Sequence, residues 1–84
     1  MTPHDALLRE ALFASDLQNS PRPDGTQVRA AISRTLHDLG VRGCVERVAQ
    51  EFGDHPELAV SRMRWATALV GGFAALLPSE LALA

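Results

Sequence analysis

The sequence predicts an all-α protein, a compact bundle of about four helices, on three observations. Apolar residues recur at steps of three and four in four separate segments. No stretch alternates with period two for long enough to make a strand. Apolar content of 46% against 21% charge in 84 residues suits one small core and excludes both disorder and a second domain.

The first helix is expected over 3–17. Thr2 can cap it, Pro3 suits the first helical position, and Asp5 stands where a capping box places its acid. Leu7, Leu8, Ala11, Leu12 and Ala14 line one face, with Phe13 at its edge. The prolines and glycine of the run Asn19-Ser20-Pro21-Arg22-Pro23-Asp24-Gly25 cannot extend a helix, so 19–25 is expected to be a flexible internal loop. A second helix follows over 27–39, with Thr26 as its cap. Its stripe is Val28, Ala31, Ile32, Thr35, Leu36 and Leu39, and Gly40 sits just past its end.

The third helix is expected over 44–52, with Val45, Val48, Ala49 and Phe52 inward and Gly53 ending it. The fourth runs over 56–77, with Asp54 and Glu57 at capping-box spacing and Pro56 in the first turn. Gly71-Gly72 weakens it, and residues 78–84 are expected to fray. The chain 1–84 thus reads as a single small helical domain.

Charge and cysteine usage narrow the function classes. A formal net charge of −2 excludes a strongly basic nucleic-acid protein but leaves room for a local basic patch. All eight basic residues are Arg, which with one Ile and no Tyr is the composition expected of a GC-rich bacterial genome. A single cysteine excludes a disulfide framework and any paired-cysteine zinc site. The N-terminus lacks the basic-then-apolar order of a secretory signal. The longest uncharged apolar run, Trp65 to Leu77, falls well short of the roughly 20 residues that span a bilayer. A cytoplasmic protein with no membrane partner is the expectation.

Nothing in the chain is spaced for catalysis. His4, His37 and His55 lie on three different predicted elements. Each adjoins an Asp (Asp5, Asp38, Asp54), but neighbours in sequence point in different directions on a helix and make no dyad. There is no His pair at i, i+4, no phosphate-binding glycine loop and no G-x-S-x-G. The expectation is no enzyme, no cofactor, no metal and no small-molecule substrate. Cys44 opens a predicted helix near Arg42 and Arg47, and both features lower a thiol pKa. With no second cysteine to resolve an oxidised intermediate, a buried structural thiol is the better reading.

The stretch from Val45 to Ala66 resembles a helix-turn-helix of the bacterial regulator type. Ala49 stands at the small-residue position, Gly53 at the turn glycine, and Val60 and Met63 where the recognition helix makes apolar contacts. The resemblance implies DNA contact through Arg47, Ser61, Arg62 and Arg64, and a dimer to read enough base pairs. The chain departs from the pattern in Asp54-His55-Pro56, which lengthens the turn by about one residue, and in Asp54 and Glu57, which bring negative charge where phosphate is expected. The run Gly43 to Pro56, with Met63-Arg64-Trp65-Ala66, also resembles short uncharacterised helical proteins of high-GC actinobacteria, a group that implies no activity.

The apolar C-terminal segment carries the leading functional expectation. Trp65, Leu69, Val70, Phe73, Leu76 and Leu77 are more large apolar groups than one helix of a small bundle easily covers. Either this helix is the central one or part of it packs on a second chain. The chain therefore reads as a non-enzymatic interaction or regulatory module that presents a face from 58–77 to a protein partner or to its own copy as a dimer. Trp65, Leu69, Phe73 and Leu77 are the expected anchors and Arg62 and Arg64 the polar rim, with plain core packing as the alternative for the anchors. A small helix-turn-helix DNA-binding regulator using 45–66 is the runner-up.

Overall fold

The computed structural model describes residues 3–19 and 23–73. They form three helices, α1 (Pro3–Ala14), α2 (Gly25–Asp54) and α3 (Pro56–Phe73), with no strand among the described residues. The all-α class holds, and the count of four helices is corrected to three. Residues 20–22 of the expected loop, the 74–77 end of the expected fourth helix and the tail 78–84 lie outside the described residues.

The correction arises within α2. Gly40 alone inside it leaves the helical region, with φ 71° and ψ 174°, a conformation that a residue without Cβ adopts at little cost. The chain re-enters the helix at once, so of the connection expected over 40–43 only Gly40 is non-helical and 41–43 is helical. A straight 30-residue helix would span about 45 Å, longer than the molecule's longest axis of 32 Å. Gly40 is therefore a corner that folds α2 into two arms, residues 25–39 and 41–54.

The caps also differ from expectation. Asp24, not Thr26, caps α2. Its carboxylate accepts the Gln27 backbone N–H at 2.8 Å, and the Gln27 side-chain oxygen accepts the Asp24 N–H at 2.9 Å. This reciprocal pair satisfies two donors that a helix start otherwise leaves bare. α2 runs through Gly53 to Asp54, so Asp54 closes one helix and does not open the next. A single residue, His55, joins α2 to α3. Its N–H donates to the Glu51 carbonyl at 2.8 Å and its own carbonyl accepts the Ala59 N–H at 2.9 Å. The lengthened helix-turn-helix turn is corrected accordingly, because Pro56, which needs no N–H partner, starts α3 directly.

All three helices contribute to one core. α1 supplies Leu8, Ala11, Leu12 and Phe13, the first arm of α2 supplies Val28, Ala31, Ile32 and Leu36, and Cys44, Ala59, Ala66 and Val70 come from the second arm and α3. Phe13, expected at an edge, is buried and stacks on Phe52 with ring centroids 5.9 Å apart. Thr35 is buried with its hydroxyl donating to the Ala31 carbonyl at 2.7 Å, which satisfies the one buried polar side chain of that stripe. Leu39 ends partly exposed because the chain turns at the next residue. In the second arm the inward stripe is Cys44 and Val48, not Val45, Ala49 and Phe52, since the corner resets the helical phase. No helix among the described residues is long and apolar enough to cross a membrane.

Candidate functional site

α3 has two sides of different character. The side turned to α1 is built around Arg62. α1 ends at Ala14, where the Leu12 carbonyl accepts the Ser15 N–H and hydroxyl and Arg62 reaches across from α3 to the carbonyls of this last turn. Its Nε donates to the Phe13 carbonyl at 2.9 Å, and its Nη2 donates to Ser15 at 2.9 Å and to Leu12 at 3.4 Å. Its Nη1 donates to the Asn19 side-chain oxygen. The same guanidinium lies 4.5 Å from the centre of the Trp65 ring, a cation–π contact. A planar cation with donors in a fixed fork suits several carbonyls at the negative end of a helix dipole. Burial lowers the Arg62 pKa, with Glu51 acting in the opposite sense.

The expected anchors fall on this inner side or at its margin. Trp65, Leu69 and Phe73 are partly buried and pack against the core, and Leu77 lies outside the described residues. The four expected DNA contacts are divided. Arg62 is held by α1, Ser61 and Arg64 are exposed on α3, and Arg47 is exposed on the second arm of α2. Arg47 lines a hollow beside the end of α1 with Asp16, Glu51 and Leu58, whereas Arg64 lines a different one. Arg34 pairs with Asp16 at 2.8 Å on the surface, a contact of little energetic weight.

The outer side of α3 meets the second arm of α2 in a shallow groove of about 410 Å³ lined by Phe52, Val60, Met63, Arg64, Thr67 and Ala68. Its surface is almost wholly apolar, with Phe52 37% and Val60 40% exposed. The single-residue turn at His55 holds the two walls together, and the stacking of Phe52 on Phe13 fixes one of them. Of these residues the helix-turn-helix resemblance makes Val60 and Met63 the apolar contacts of the recognition helix, and the helical periodicity predicts Phe52 inward. Their spacing at 60, 63, 67 is a second helical stripe, overshadowed in the sequence by the larger residues of the first.

Cys44 is fully buried, and burial first and the charge of Glu10 second push its thiol pKa up, away from reactivity. Among the described residues, no three His, Cys, Asp or Glu side chains are grouped to hold a metal ion. No family model, curated protein or solved structure matches the chain.

Proposed function

We propose that this chain is a non-enzymatic helical interaction module that takes an apolar helical segment of a protein partner into the groove between α2 and α3. One observation carries the reading: Phe52, Val60, Met63 and Ala68 form an apolar trough open to solvent, with the exposed Arg64 also lining it. Such a trough matches helix-in-groove recognition, where a few apolar side chains at helical spacing supply the affinity and a flanking charge sets orientation. The expected interface thus moves round α3, from the Trp65 side to the Val60 side.

The test places a photo-crosslinking residue at Val60, and at exposed Ser33 on the first arm as a control, in cells of the source organism. A discrete adduct from position 60 that is absent from position 33 and lost on adding Ala68→Glu is expected. Adducts common to both positions, or unaffected by Ala68→Glu, overturn the groove. Salt-sensitive binding of a mixed-sequence duplex that Arg64→Ala and Arg47→Ala abolish would replace this reading with the nucleic-acid one.

A further inference from the structure

Two glycines independently hold the corner in α2. Gly40 supplies the positive φ, and a Cβ built there would meet nothing within 4 Å, so an alanine is opposed by backbone conformation alone. Gly43 supplies room: a Cβ built there would lie 2.9 Å from the Leu39 Cβ, an atom fixed to the backbone that cannot swing aside. In a straight helix, residues 39 and 43 are ordinary i, i+4 neighbours with Cβ atoms about 5–6 Å apart. Both demands for glycine therefore belong to the bent form and vanish in the straight one. No other residue inside α2 departs from helical geometry.

Straightening at Gly40 would have a defined consequence. α3 is tied to the second arm by the His55 turn and would move with it, away from α1 and the first arm. That motion parts Leu8, Leu12, Ile32 and Leu36 from Cys44, Ala59, Ala66 and Val70, two half-cores that complete each other. The surface that fits each exposed half-core is the missing half from a second copy of the same chain. We propose that the α2 corner is a hinge and that the protein has a second state, an exchanged dimer with straight α2 helices. In it the second arm and α3 of each chain close on α1 and the first arm of the other, and the Arg62 contacts to the Leu12, Phe13 and Ser15 carbonyls re-form between chains.

The experiment compares wild type, Gly40→Ala, Gly43→Ala and the double variant by sedimentation equilibrium. Wild type is expected at 9.0 kDa and the variants at twice that mass. An L-residue at Gly40, held at positive φ with ψ near 180°, disfavours the bent chain by at least about tenfold, hence the Gly40→Ala dimer dissociates at least about a hundredfold less with two chains. Gly40→D-Ala, which accepts positive φ, is expected to stay monomeric. In the dimer, isotope-filtered NMR is expected to find the Phe13–Phe52 ring contact between chains. Variants that remain monomeric, folded or unfolded, overturn the hinge. A dimer in which that ring contact stays within one chain overturns the exchange. Both readouts are independent of the α2–α3 groove, whose walls move together.

Discussion

The guanidinium of Arg62 stands where the last turn of α1 presents its carbonyls, and it joins the end of α1 to the middle of α3 by several bonds at once. Removing it strands part-buried acceptors and takes a cation from the negative end of a helix. Arg62→Ala is expected to cost about 2–3 kcal/mol of stability, and Arg62→Lys to recover less than half of it, because an ammonium lacks the fork of donors that reaches separate carbonyls at once. Urea unfolding of the three proteins decides this, and a loss below 0.5 kcal/mol, the scale of an ordinary surface substitution, would assign the contact no structural weight. Cys44 gives a prediction in pH. Its folded pKa lies above the unfolded value, so as pH rises past about 8.5 the unfolded chain releases its thiol proton first. The folded state then binds more protons, and stability falls with rising pH; below that range both states are protonated and the effect disappears. Wild-type Tm is expected to fall more steeply between pH 8 and 10 than that of Cys44→Ala, measured in the presence of a reductant. Parallel curves would mean that the thiol titrates alike in both states.

At the scale of the helix, the start of α2 separates two readings of the same residues. Thr26 looks like the cap because it is the last hydroxyl before the apolar stripe, yet Asp24 and Gln27 have the spacing that lets each side chain reach the other's N–H. Asp24→Ala is expected to lower stability by about 1 kcal/mol and Thr26→Ala by less than about 0.5 kcal/mol, as read from thermal unfolding; the reverse order would return the cap to Thr26. The same helix shows what periodicity conveys and what it does not. Val28, Ala31, Ile32, Thr35 and Leu36 were legible as one buried face because they lie within a single uninterrupted arm. Past Gly40 the phase restarts: Cys44 and Val48 are inward as the sequence reads them, whereas Val45 and Ala49, read into the same face, are exposed. Gly40 was legible as a special backbone position. That the chain would resume helix immediately was not, since Val41-Arg42-Gly43 carries no strong signal in either direction.

For the molecule as a whole, class and size follow from composition and pattern, whereas the arrangement of the candidate site depends on contacts between distant residues. Arg62 meets backbone carbonyls 47 to 50 residues away, groups that every residue possesses, and one side-chain oxygen 43 residues away, so no motif could announce it. Reading Arg62 as a surface cation was natural for an exposed-looking Ser-Arg-Met-Arg run. The groove was half legible: Val60 and Met63 stood out, but Phe52 joins them only because His55 reverses the chain in one residue. The stacked pair of Arg62 and Trp65 has an optical consequence. Trp65 is the sole tryptophan and the chain has no tyrosine, so all emission above that of phenylalanine comes from one indole, set against the cation that ties α3 to α1. Intrinsic fluorescence therefore reports when that clasp parts, and any lag between it and the loss of helical circular dichroism would show α3 leaving α1 before the helices themselves melt.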